Sequence, residues 1–399
     1  MSPVSRQRTI LVLAIAAQAA FSMISFGLPA IGSDIRSQFG LGPAGFGAVY
    51  AAVGLGSAAA LVPAGMLVDR FGARRILIVG GIVSATGTGL AGFAQDALPF
   101  AAALFVGGVG GAAVPVAGMT SLLREFPPEK RGIALGWRQL AVPLGGTIGS
   151  ILLPALVALG GIRLAMLGAA AAALVTALWF ATVAGDAPPE AVAERGLGGL
   201  LSIPQLRLLL LLGLFYVSAL GTVLAYYIPA ARHAGLTTAE AAIGFTVLNV
   251  TAALSRIVWG RRADQSGGTR RLQTLRDTGL LATAAGIAIP AMFAWGAWAA
   301  LPATVVLAFG VFGFNGVLYL VAGEIAGPER AGRAVGLAST VVFGWGSLVA
   351  PIAGLVIEST GYEAVWAISA VTTALGVVVA LAMMQPTRLQ PCQESTTSA

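Results

Sequence analysis

Apolar runs near twenty residues long recur from one end of the chain to the other, separated by short clusters of Gly, Pro and charge. Each run is long enough to cross a hydrocarbon layer about 30 Å thick. Backbone groups in such a layer need partners within their own segment, so every run is expected to be helical. The pattern predicts twelve spans, at residues 9–31, 43–67, 76–95, 98–122, 133–158, 163–184, 206–230, 239–259, 277–297, 300–323, 335–357 and 363–384. The fold class is therefore an all-α membrane protein.

Composition agrees with that pattern. Hydrophobic residues make up 57% of the chain and charged ones 10%, against roughly 45–50% and about 25% in ordinary soluble domains. With an even number of spans and both ends cytoplasmic, all but five of the 23 basic residues fall in inner connections or inner ends. Arg36, Arg163 and Arg232 fall outside, and Arg138 and Arg256 lie within predicted helices. The excess of inner positive charge sets the orientation. The net charge of +7 is thus a topological signal, spread over short loops, and not a nucleic-acid surface.

The only cysteine, Cys392, lies in a polar tail, which rules out an intrachain disulfide. Arg6 and Arg8 before an apolar run containing Ala17-Gln18-Ala19 imitate a secretory signal, but the run continues to Ile31, which favours a first span. His233 is the sole histidine and Lys130 the sole lysine, so no metal cluster, His-based triad or P-loop can be assembled. No catalytic residue, cofactor or metal is expected.

The chain repeats itself. LGPAGFGAVYAAVGLGSAAALVPAGMLVDRFG (Leu41 to Gly72) aligns without a gap with LTTAEAAIGFTVLNVTAALSRIVWGRRADQSG (Leu236 to Gly267). Gly65, Asp69 and Gly72 then fall on Gly260, Asp264 and Gly267. PEKRGIALG (Pro128 to Gly136) echoes PERAGRAVG (Pro328 to Gly336). The expected organisation is two parallel six-helix repeats, at 1–184 and 206–384, joined by a cytoplasmic linker at 185–205 and followed by a cytoplasmic tail at 385–399.

The segment GMLVDRFGARR carries Gly65, Leu67, Asp69, Arg70, Gly72, Arg74 and Arg75 in the pattern G-x-L-x-D-R-x-G-x-R-R. In that place, between the second and third spans, it resembles the signature of the major facilitator superfamily, with a weaker copy at Gly260, Asp264 and Gly267. The resemblance covers nearly the whole chain. It implies a monomeric secondary carrier of the cell membrane in which two bundles rock about a central site. It also implies a gate: Gly65, Asp69, Arg70, Gly72 and Arg74 near the eleventh span, and Gly260 and Asp264 near the fifth, would hold the cytoplasmic side shut when the outer side is open. The acid sits at the inner end of one helix where the positive end of another arrives, and glycine permits close approach.

No Asp or Glu lies deep in a predicted span, yet two arginines do. Arg256 stands eight residues before Asp264, about 12 Å along a helix. Arg138 is nearer its helix start, where it is able to snorkel. Such an arginine costs about 2.5–3.5 kcal/mol on the insertion scale unless it faces a wet cavity or a partner. Two cations with no acid at their depth point to an anionic ligand, since a guanidinium grips carboxylate or phosphate with a two-pronged fork.

SRIVWGRRADQSG (Ser255 to Gly267) also resembles the eighth-helix signature of oxalate/formate exchangers and monocarboxylate carriers, which implies that Arg256 contacts a carboxylate. It departs from that branch at Ile257, where proline is usual, and at Ala252, where proton-coupled members carry an acid. Asn249 shares a face with Arg256; Asn315 with Tyr319; Ser218, Thr222 and Tyr226 with one another; Gln18 and Gln139 are further polar candidates.

The substrate site is thus expected to include Arg256, Arg138, Asn249, Tyr226, Asn315 and Tyr319, with a small organic anion as cargo. Export of drug-like compounds is the alternative, although the fourth span (Leu104 to Ala113) and VPLGGTIG (Val142 to Gly149) lack two marks of drug/proton antiporters. Partners are the small solute and the lipid bilayer, with no nucleic acid.

Overall fold

The computed structural model describes residues 3–127, 134, 137–185, 199–264, 268–327 and 330–385. Its helices are α1 (Pro3–Gly27), α2 (Gly32–Phe39), α3 (Pro43–Phe71), α4 (Ala73–Ala91), α5 (Ala97–Gly111), α6 (Ala113–Glu125) and α7 (Ala141–Val183), then α8 (Pro204–His233), α9 (Thr238–Asp264), α10 (Gly268–Phe293), α11 (Ala297–Ala326), α12 (Ala331–Thr360) and α13 (Ala364–Met384). Among the described residues, nine helices are long and apolar enough to cross a membrane.

These helices map onto the twelve predicted spans once three local features are read. α7 is two spans in one, because Gly160 (φ −163°) and Gly161 (φ +70°) fold it back on itself. The left-handed φ at Gly161 is one that other residues adopt only under strain. The fourth span, predicted as one run over 98–122, is broken at Ala112 into α5 and α6. Pro115, in the first turn of α6, supplies no N–H to the turn before it. The first span ends in a 3₁₀ turn, Leu28–Ile31, and the short crosswise helix α2.

α1 to α7 pack among themselves, as do α8 to α13, giving two bundles. Glycine lets backbones touch within the first bundle: a Cβ on Gly110 would lie 2.2 Å from the Ser84 nitrogen, and one on Gly108 2.1 Å from the Val53 oxygen. Large apolar side chains point away from the bundle cores, Val79 at 57% and Val378 at 62% exposure among them, as a lipid-facing surface requires. Trp295 and Trp298 flank the Gly296 turn and are 77% and 74% exposed, suited to a headgroup boundary.

Two seams join the bundles, α3 against α12 and the first limb of α7 against α9. The helix ends near residues 3, 71, 125, 183, 204, 264, 326 and 384 share one face, termed the terminal face; the opposite one is the far face. Residues 186–198, which hold most of the predicted linker, and 386–399, which hold the tail and Cys392, lie outside the described residues. So do Lys130, most of the Pro128 to Gly136 echo, and Gly267.

Candidate functional site

At the far face the two bundles are bonded together. The Glu358 carboxylate of α12 accepts from the Ala44 N–H in the first turn of α3, at 2.9 Å. That N–H is one of the four donors a helix start leaves without a partner. Gly42 leaves room for that contact, since a Cβ there would stand 2.4 Å from the Glu358 oxygen and the carboxylate would have to shift. Tyr226, on α8, is fully buried, and its hydroxyl lies 2.8 Å from the Pro43 carbonyl and 2.7 Å from that of Ala350. Arg36 donates to Tyr362 and to the Leu41 carbonyl, and the His233 ring packs 5.3 Å from that of Tyr362.

From there the α3–α12 seam runs inward through Gly47 beside Ala350 to Gly54 beside Ser347, where added Cβ atoms would meet neighbours at 2.5 and 2.6 Å. Beyond that point it parts. Gly65, Gly336 and Gly344 have open space beside them, and Val62 and Phe343 are 61% and 51% exposed.

The second seam carries polar groups along its length. Ser150 and Thr246 share a hydroxyl–hydroxyl bond of 3.1 Å. A turn further toward the terminal face, Gly146 faces Asn249, whose Oδ1 would stand 2.4 Å from a Cβ at that position. Asn249 is 1% exposed; its Nδ2 donates to the Phe245 carbonyl at 3.0 Å, while Oδ1 has no donor. Two turns further, Arg256 Nη1 donates to the Gln139 carbonyl at 2.9 Å, and the buried Arg256 Nε has no partner. Among the described residues no carboxylate pairs with it.

α11 lines the other side of Arg256. Trp259, on α9, donates to the Phe309 carbonyl at 2.8 Å, which sets the register of the two helices. Further along α11, Tyr319 lies close enough for an electrostatic interaction with Arg256, while its hydroxyl pairs with Ser339. Asn315 is half-buried one turn away, and the intervening Gly316 faces open space.

Arg138 has a different setting. It does not snorkel: at 7% exposure it turns into the first bundle, donating to Gln18 Oε1 at 3.1 Å and to the Pro115 carbonyl at 2.9 Å. Its Nε has no partner and lies 2.9 Å from where a Cβ on Gly118 would be, so the glycine makes room for the guanidinium. The structure therefore sets Arg256 and Asn249 along one seam, with Tyr319 beside Arg256 and Asn315 a turn away on α11, turns Arg138 into the first bundle, and places Tyr226 at the far-face closure.

At the terminal face, Gly72 turns the chain with φ +85° between α3 and α4, and the Arg70 guanidinium stacks over Phe71 at 5.1 Å. Arg74 is exposed on the first turn of α4. Gly260, like Gly65, has nothing beside it. Asp69 and Asp264 are helical, and their side chains lie outside the described residues. In the second bundle a charge network missed by the sequence reading ties α9 to α10 and α11: Arg262 and Arg276 bond Asp277, while Arg271 bonds Glu324 and donates to the Ala263 carbonyl. Only the clustering of opposite charges near Gly260 hinted at it.

Two helical bundles, joined at one face and parted at the other, define a carrier fold. The family model described as Major Facilitator Superfamily matches residues 10–351, and the chain belongs to that superfamily. It is a transporter, not an enzyme. It is 27% identical over 336 residues to an uncharacterized MFS-type transporter of Mycobacterium tuberculosis, covering 82% of this chain and 73% of the relative. It is also 32% identical over 157 residues to the probable sulfoacetate transporter SauU of Cupriavidus necator, covering 39% of this chain and 36% of the relative.

Similar solved folds include a bacterial homolog of the human lysosomal transporter Spinster in an inward-facing conformation, with a TM-score of 0.71, 17% identity and 95% of both chains covered. Another is the nucleoside transporter NupG, with a TM-score of 0.76, 14% identity, and 94% of this chain and 100% of that one covered.

Proposed function

We propose that this carrier moves a small organic anion of the carboxylate or sulfonate class by rocker-switch alternating access. The observation that carries the reading is Arg256: a cation within a membrane-spanning helix on the seam between the bundles, anchored by one nitrogen to a backbone carbonyl, with a further donor unpartnered and, among the described residues, no carboxylate paired with it. An uncompensated cation at that depth is retained where it faces a polar path or a ligand. Asn249, Asn315 and Tyr319 supply polar neighbours, and Arg138 adds positive potential from behind. The relative SauU is described as a probable sulfoacetate transporter, and sulfoacetate is an anion of the same charge class.

The distribution of basic residues supports a cytoplasmic terminal face at the cell membrane. With that orientation the parted end of the α3–α12 seam faces inward and the bonded end faces outward. Gly65, Asp69, Arg70, Gly72 and Arg74, with Gly260 and Asp264, would then close the inner side in the opposite state. The carrier is proposed to act as a monomer, and the domain limits are proposed at 1–184 and 206–384.

The experiment is thermal stabilisation of the purified carrier by sulfoacetate, mono- and dicarboxylates, inorganic anions and cationic drugs, in parallel with Arg256→Gln. Stabilisation by organic anions that the variant loses is the expected result. Stabilisation by cationic drugs that the variant keeps would replace this reading with drug export.

A further inference from the structure

Gln139 stands four residues before Pro143, and a proline has no N–H to give the carbonyl four positions back. The helix registers the loss: Leu140 forms a turn with its N–H on the Trp137 carbonyl at 3.2 Å, and regular bonding resumes when Leu144 donates to Leu140 at 3.1 Å. The Gln139 carbonyl is left as an acceptor inside the membrane-spanning region, where backbone groups must find a partner. That partner comes from the other bundle, as Arg256 Nη1 at 2.9 Å.

A guanidinium offers five N–H donors in a rigid plane. The Nε–H and one Nη2–H are parallel and form the edge that grips two oxygens of one oxyanion. With Nη1 held on the Gln139 carbonyl, that edge remains: Nε is buried and unpartnered, and no described residue bonds Nη2. An arginine free to turn about its long stem would sample many orientations and lose that freedom on binding. One fixed by a backbone acceptor presents the same fork each time.

We propose that Pro143 is a positioning residue for the anion site. By stripping the Gln139 carbonyl of its helical donor, it creates the acceptor that pins Arg256 across the bundle interface and leaves the Nε–Nη2 edge unpartnered for an oxyanion to engage. This proposal rests on the anion reading for its ligand, whereas the pinning stands on geometry alone. It commits the site to oxyanions that present two oxygens side by side, the planar carboxylates and the tetrahedral sulfonates, in preference to halides.

The test uses the purified full-length carrier. In a double-mutant cycle of Tm without ligand, Pro143→Ala, Arg256→Gln and the double variant are compared with the parent. Residue 143 in the Ala variant has an N–H for the Gln139 carbonyl, so Arg256→Gln is expected to lower Tm in the parent and to lose at least half of that effect when combined with Pro143→Ala. Additive changes would overturn the pinning. Pro143→Ser carries the same N–H and replaces the Ala variant if that one fails to fold.

In proteoliposomes, Pro143→Ala is expected to raise the KM for sulfoacetate at least fivefold with kcat within twofold. A fall in kcat at constant KM would mean that Pro143 serves as a hinge, and would overturn the positioning role. Coupled Tm values with no uptake of sulfoacetate, formate or succinate by the parent would overturn the anion reading and leave Pro143 as a seam element only.

Discussion

The carboxylate of Glu358 on α12 caps the first turn of α3 by accepting the Ala44 N–H at 2.9 Å, so an acid of one bundle rests on the positive end of a helix in the other. A carboxylate at a helix start contributes about 0.3–1 kcal/mol when exposed. The bond exists only while the far face is closed. Glu358→Gln keeps an acceptor but loses the charge, and is expected to shift the population toward far-face opening by roughly two- to fivefold. A membrane-impermeant maleimide added from the far side, with Ser347→Cys in a Cys392→Ala background, should react faster by that factor. An unchanged rate would show the cap to be incidental.

Tyr226 separates closure from cargo binding. Its hydroxyl meets two backbone carbonyls, of Pro43 and Ala350, on two helices of different bundles, and the side chain is 1% exposed. Tyr226→Phe removes the donor and is expected to destabilise the far-face-closed state by about 0.5–1.5 kcal/mol. Far-side labelling of Ser347→Cys should rise while the KM for the anion, measured from the terminal face, stays within twofold. A tenfold rise in that KM would instead place Tyr226 in the substrate site.

The turn at Gly72 makes a sharper local prediction. With φ +85° and ψ 158°, this residue has a backbone conformation open mainly to glycine. Gly72→Ala is expected to lower stability by about 1–3 kcal/mol, read as a fall in Tm. Gly65→Ala, with open space beside it and a helical backbone, should leave Tm unchanged in this state. If Gly65 closes the inner gate, its Ala variant slows transport while Tm holds.

Twelve spans were legible because lipid demands long apolar runs, and the two bundles were legible because Gly65, Asp69 and Gly72 repeat at Gly260, Asp264 and Gly267. The site was legible only in part. Arg138 and Arg256 look alike in sequence, each an arginine in an apolar helix, and what separates them is tertiary: Gly118 opens a niche for one, while the Gln139 carbonyl meets the other across the seam. Tyr226 follows Ser218 and Thr222 on one face of α8, yet a helical face does not reveal that its far end meets α3 and α12. Pro143 did carry a readable signal, since a proline always frees the carbonyl four residues earlier. Which donor would fill it was written in the fold.

Arg138 and Arg256 together pose a question of cost. Arg138 is buried, has two neutral acceptors and, among the described residues, no carboxylate partner, and lies next in sequence to the residue whose carbonyl holds Arg256. Like charges held in a medium of low effective dielectric repel more strongly than they do in water. Desolvation adds to that, since a buried charge with no counter-ion weighs against stability. A bound anion would convert the repulsion into attraction, with little screening by salt at that depth.

Arg138→Met is therefore expected to hold or raise Tm without ligand while weakening sulfoacetate binding by roughly three- to thirtyfold, the loss that about 1–2 kcal/mol of attraction represents. Gln18→Leu, which removes an acceptor of Arg138 and no charge, should weaken binding less than Arg138→Met does. A large fall in Tm for Arg138→Met with unchanged anion affinity would make Arg138 a tie within the first bundle, and leave Arg256 alone to bind the cargo.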